Sequence, residues 1–186
     1  MKKLLLMLLA VMLVGVNAHA QEVANKEEQT KSKNELFQKR SGSLITTTTY
    51  DLGNVASVDF SVRLAKDELS GEKLSFLILE TKYYSSYSDS QTYPVGLDDD
   101  EVVAAIKALE YIRDNLITNT PEHYTETTFK SRDGARVGAF VSDKKWKLYV
   151  KTNASSQSLK TFDTSKLGDF IDKLKEASGK ISELSK

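Results

Sequence analysis

The sequence predicts an α+β fold of two antiparallel four-stranded sheets, each followed by an amphipathic helix. Three observations carry this prediction. Val58, Phe60, Val62 and Leu64 alternate with Asp59, Ser61 and Arg63, the period of two that belongs to a sheet with one buried face. Two apolar stripes recur at helical spacing, first Val102, Ile106, Leu109, Ile112 and Leu116, then Leu167, Phe170, Ile171, Leu174, Ala177, Ile181 and Leu184. The order of strands followed by a helix occurs twice, over about 43–118 and 122–186, which points to an internal duplication within a single domain spanning 43–186.

Residues 1–20 read as an export signal. Lys2 and Lys3 lead an apolar run from Leu4 to Val16, and Ala18-His19-Ala20 sets small residues before Gln21, where a signal peptidase cuts. The run is short of the roughly 20 residues that a membrane-spanning helix needs. No cysteine stands near the cut to carry a lipid. The expectation is a bacterial protein delivered to the periplasm or secreted, with no stable membrane span after cleavage. Residues 21–42 are dominated by Lys, Glu, Gln, Asn and Ser and offer too few apolar groups to offset the entropy of ordering. They read as a flexible polar leader, with a helical turn around Asn34 to Lys39 through which Leu36 and Phe37 begin to dock.

Strands begin from Leu44. After residues 58–64, Asp67 to Glu72 supplies a turn around Ser70-Gly71, and Leu74 to Thr81 carries apolar groups on both faces, as a covered central strand does. Tyr93 to Val95 reads as a short strand with Pro94 near an edge. Asp98 then caps a helix, Glu101 completes a capping box, and Leu97 staples to Val102. The acidic run Asp98 to Glu101 suits a helix N-terminus without any metal ion, since the helix dipole favours carboxylates there. Asn119 to Pro121 ends the helix.

The second half follows the same order. Thr125 to Lys130, Arg136 to Ser142, Trp146 to Val150 and Ser158 to Thr161 read as strands, separated by turns at Arg132-Asp133-Gly134 and Asp143-Lys144. Phe162 precedes Asp163 as Leu97 precedes Asp98, and Leu167 takes the staple position. The segments starting at Lys73 and Lys145 are offset by 72 residues and the capping aspartates by 65. The difference falls in the tyrosine-rich hairpin Tyr83 to Tyr93, which Asn153 to Gln157 replaces by a shorter connection.

This tandem order of four strands and a helix, from Leu44 to Leu184, resembles that of the Whirly family and the purine-rich-element binding proteins. The resemblance implies two such units packed together, in a fold that serves single-stranded nucleic acid. The lysine-glycine-lysine motif of Whirly proteins is absent, so no site residue is carried over.

Composition narrows the chemistry. The chain has no cysteine, which removes disulfides, thiolate catalysis and zinc sites built on sulfur. Its 26 cationic and 26 acidic residues balance, and loss of Lys2 and Lys3 leaves a net charge of −2, which disfavours nucleic acid as a partner. Beyond residue 20, His123 is the one imidazole, so histidine-rich metal spacing is impossible, and neither a Gly-x-Ser-x-Gly elbow nor a phosphate-binding glycine loop occurs. No catalytic, metal or cofactor residue is assigned. The expected function is non-catalytic binding of a protein, peptide or glycan. The candidate ligand-binding residues are Tyr83, Tyr84, Tyr87 and Tyr93 on the hairpin, and Tyr149, Lys147 and Lys151 on the locally basic strand. If Tyr149 and these lysines share a face, that face meets an anion. Alternatively Trp146 enters the core, Tyr149 supports the sheet, and the lysines guard an edge.

Overall fold

A computed structural model describes residues 31–85 and 89–186. Among these residues, eight strands form two antiparallel sheets with no crossovers. The first contains β1 (Ile45–Val55), β2 (Val58–Asp67), β3 (Lys73–Tyr83) and β4 (Gln91–Leu97), in that order; the second contains β5 (Glu126–Lys130), β6 (Arg136–Ser142), β7 (Lys145–Lys151) and β8 (Leu159–Asp163). A short helix α1 (Lys33–Gln38) precedes the first sheet, α2 (Asp99–Tyr111) follows it, and α3 (Leu167–Leu184) follows the second. The α+β class and the repeated four-strand order are therefore present. Among the described residues, no helix is long and apolar enough to cross a membrane. The export signal read at residues 1–20 lies outside the described residues.

Meander topology follows from short connections. Ala56-Ser57 and Asp143-Lys144 both hold positive φ at two successive positions, the geometry of a two-residue hairpin turn whose twist matches the flanking strands. β3 and β7, the segments aligned by the 72-residue offset, both occupy the third position of their sheets. β7 is thus an interior strand, which corrects the edge-guarding reading of its lysines: they are flanked by β6 and β8.

One core unites the two halves. Val58, Phe60, Val62, Leu77 and Leu79 from the first sheet join Val137, Ala139, Leu148 and Val150 from the second, with Val102, Leu109, Phe170 and Leu174 from α2 and α3. The C-terminal helix packs on β1, β2 and β3 and against α2, so the helix of the second half covers the sheet of the first. Phe170 meets Phe60 edge-on at 5.0 Å and stacks on Phe162 at 5.7 Å. Each such aromatic pair adds about 1 kcal/mol beyond the area it buries. The stripe on α2 is displaced from expectation: Ala105 is buried and Ile106 half-buried, and the helix runs on as a π-helical turn, Ile112–Leu116. The second helix also starts late. Asp163 accepts the Ser165 N–H at 2.9 Å and opens a 3₁₀ turn, and the α-helix begins only at Leu167.

The sheets also meet through polar groups. Thr81 and Thr152 hydroxyls lie 3.0 Å apart in the interior, and Thr81 donates to the Ser158 carbonyl at 3.0 Å. Burying hydroxyls without partners would be costly, and here each has one.

The polar composition of 21–42 conceals an ordered end. From Ser32 onward the leader reading gives way to α1, where Ser32 Oγ accepts the Glu35 N–H at 3.1 Å as an N-cap. Phe37 is buried with Ala65, Phe76 and Ile78 on the outer face of the first sheet, confirming the docking expected of it, while Leu36 stays exposed. Gly96 makes the approach possible, because a Cβ there would stand 2.5 Å from Asn34 Nδ2. The predicted capping box is present, with Glu101 Oε2 accepting the Asp98 N–H at 3.0 Å. Asp98 does more than cap its own helix. Its carboxylate also accepts the N–H groups of Lys33 at 2.6 Å and Asn34 at 3.1 Å, satisfying free donors at the start of α1.

Candidate functional site: the outer face of the second sheet

The two sheets differ on their outer faces. The first is partly covered by α1, whereas the second presents most of its outward side chains to solvent. Strand alternation and register place those side chains in three cross-strand rows. The first row is Glu126, Phe140, Lys147 and Asp163; the second is Thr128, Gly138, Tyr149 and Thr161; the third is Lys130, Arg136, Lys151 and Leu159.

Tyr149 organises the middle row. Its hydroxyl lies 2.5 Å from Thr128 Oγ1 and donates to Glu126 Oε1 at 2.7 Å, reaching β5 from β7 across the intervening β6. The residue that it crosses is Gly138, its register partner, whose bare Cα leaves room for the ring. A Cβ on Gly138 would stand 2.0 Å from the Thr127 carbonyl oxygen, so only glycine fits there. Phe140 flanks the tyrosine with ring centroids 6.0 Å apart. Tyr149 is consequently 5% exposed although it faces outward. Burial, with Glu126 adding to it, pushes its hydroxyl up to about 12. The Tyr149 hydrogen bond, followed by that of Tyr124, holds the Glu126 carboxyl below the usual range.

Charge is distributed unevenly along the strands. In the first row Lys147 stands across from Asp163, whose carboxyl is lowered mainly by the Ser165 amide and further by Lys145 and Lys147. The third row sets three cations side by side on β5, β6 and β7. Among the described residues, none of Lys130, Arg136 and Lys151 has a carboxylate within ion-pair distance. Like charges directly opposite one another on a sheet destabilise it. These three line a cleft of about 390 Å³ with Asp133, Gly134 and Asn153. The Asn153 Oδ1 is taken by the Ser155 N–H at 2.8 Å, which leaves its amide NH₂ as the donor end. Such a row can hold an anionic group by charge and hydrogen bonds.

The structure brings Tyr149, Lys147 and Lys151 onto one face, satisfying the condition set by the sequence reading. Trp146, pointing the other way, is buried and donates its indole N–H to the Asn119 carbonyl at 2.6 Å. The tyrosines of the hairpin stand apart from this face. Tyr83 and Tyr93 fall on the core side of the first sheet near its end, where the Tyr93 hydroxyl bonds Gln157 of the second half. Tyr84 is 74% exposed, and Tyr87 lies outside the described residues. Sequence reasoning missed Lys130 and Arg136, although extending the alternation outward from Tyr149 into neighbouring strands would have reached both. His123 is exposed in the connector before β5.

The chain matches no protein-family model, and no curated protein matches its sequence.

Proposed function

We propose that this chain is a non-catalytic binding protein that holds a protein, peptide or glycan on the outer face of its second sheet. The observation that carries the reading is the unpaired row Lys130, Arg136 and Lys151 beside the fixed Tyr149 and Phe140 rings. A folded sheet tolerates three adjacent cations at a cost, and an anionic ligand offsets that cost. Phe140, half-buried against the Tyr149 ring, supplies apolar contact on the same face with little further ordering, because Tyr149 is already locked by two hydrogen bonds. The export pattern at residues 1–20 supports action in the periplasm or outside the cell.

A second reading, single-stranded nucleic acid on the same face, draws on the same cations and on the Whirly-like strand order. Glu126 and Asp163 oppose it, since they set a carboxylate on each edge strand of the face, and a phosphate chain crossing the strands along their row would meet both.

Surface plasmon resonance on the immobilised protein separates these readings, with polyglutamate, polygalacturonate and oligothymidylate as probes. One of the first two should bind saturably, and Arg136→Gln/Lys151→Gln should weaken it about tenfold or more while melting is unchanged. Binding to none of the probes, or binding indifferent to the double variant, would refute the site. Oligothymidylate as the tightest probe would favour the nucleic-acid reading.

A further inference from the structure

The face has a direction. Positive charge is concentrated in the row Lys130, Arg136 and Lys151, and negative charge stands four residues further along the strands at Glu126 and Asp163. At about 3.3 Å per residue the two ends are roughly 13 Å apart. Tyr149 stands in the row between them, and Phe140 lies at the acidic end between Glu126 and Lys147. Lys147 shares the acidic end but is matched there by its neighbour Asp163. A ligand of one charge sign throughout therefore meets repulsion at one end or the other.

We infer that the partner on this face is a peptide segment that is acidic at one end, with its carboxylates on the Lys130, Arg136 and Lys151 row, an apolar or aromatic residue against the half-buried Phe140, and a basic residue toward Glu126 beside it. The inference rests on the binding reading above and narrows it to one ligand class. Cross-strand distance supports the fit: three cations on adjacent strands span roughly 10 Å, the reach of two neighbouring acidic side chains. The cleft of about 390 Å³ at that end has room for carboxylates and their water. Arg136 is placed to take one bidentately: Glu126 acts on it only through space, and among the described residues no carboxylate forms an ion pair with its guanidinium.

Fluorescence anisotropy with labelled peptides tests this. The mixed probe is Glu-Glu-Gly-Phe-Gly-Lys, used in both chain directions because the face does not fix strand polarity, and the uniform probe replaces its lysine by glutamate. At about 50 mM salt the mixed probe should bind about fivefold tighter than the uniform one in at least one direction, and raising salt to about 300 mM should weaken both. In Glu126→Gln/Asp163→Asn the preference should vanish; both amides can still accept the bonds that Tyr149 and Ser165 now donate, and melting reports whether the fold persists. A preference that survives this variant overturns the inference, as does absence of saturable peptide binding. Polygalacturonate binding that depends on Arg136 and Lys151, with both peptides inert, would overturn the peptide assignment and leave the binding site standing.

Discussion

The Asp98 carboxylate lies 3.0 Å from the Arg132 guanidinium, and through this pair three distant segments meet. Asp98 starts α2, Arg132 sits in the turn between β5 and β6, and the same carboxylate receives two amides of α1. Arg132 also donates to Asp100 at 2.7 Å, and its main-chain N–H reaches Glu101 at 2.6 Å. Asn34 closes the circuit by donating to Asp133 at 2.8 Å. The acidic run at the helix start is thus a clamp in which one guanidinium and the α1 amides answer the carboxylates.

Breaking that clamp leaves charge inside. Asp98 is 1% exposed, so Arg132→Met strands its carboxylate with only main-chain donors. The loss should be about 3 kcal/mol, near the lower end for a buried pair because the guanidinium is partly exposed. Urea unfolding measures it, and a loss below about 0.5 kcal/mol would mean that the pair behaves as a surface contact.

Acid should weaken the same clamp. Arg132, with Lys33 helping, holds the Asp100 carboxyl down at about 2 in the folded chain, against about 3.9 when unfolded. The unfolded state therefore takes up the proton first. This contribution is complete above about 3.9 and is lost as pH falls toward and through about 2. Wild type should lose stability across that window more steeply than Arg132→Met, and salt should shrink the difference because Asp100 is half exposed. Equal acid sensitivity of the two proteins, followed by circular dichroism, would remove Arg132 as the cause.

How far the fold was legible depends on what sets each element. Val58 to Leu64 and Leu167 to Leu184 announce themselves because burial on one face imposes a period that survives in the residue order. Helix α1 shows only as a turn around Asn34 to Lys39 with Phe37 docking, since its anchor is that single residue and its other partners, Asp98, Gly96 and Asp133, come from elsewhere in the chain. Nearness in sequence groups Tyr83, Tyr84 and Tyr93, whereas Tyr149, Lys130 and Arg136 come together only through strand register. Charge rows of this kind are written across strands, so a reading along the chain passes them by.

Two glycines separate close packing from turn chemistry. Gly138→Ala would drive a methyl into the Thr127 carbonyl and displace the crossing Tyr149 ring, at a cost of about 1–3 kcal/mol. Gly168→Ala, where an added Cβ meets nothing within 4 Å, should be neutral or stabilising within a helix. Thermal melting of the two variants should differ by several degrees, and similar melting would contradict the packing assigned to Gly138.

Leu174 tests whether α3 belongs to the core of the first sheet. It is 1% exposed, so Leu174→Ala should cost about 2–5 kcal/mol, whereas Val103→Ala on the open side of α2 should cost well under 1 kcal/mol. A small loss at Leu174 would show that the helix is not seated as described.

The binding face is tested most directly by nuclear magnetic resonance of the labelled protein during titration with the mixed-charge peptide. The amides of Lys130, Arg136, Gly138, Tyr149 and Lys151 should shift together along one saturating curve, with those of Thr46 to Thr49 on the first sheet unmoved. Shifts centred instead on Tyr83, Tyr84 and Tyr93, or none anywhere, would contradict a site on the outer face of the second sheet.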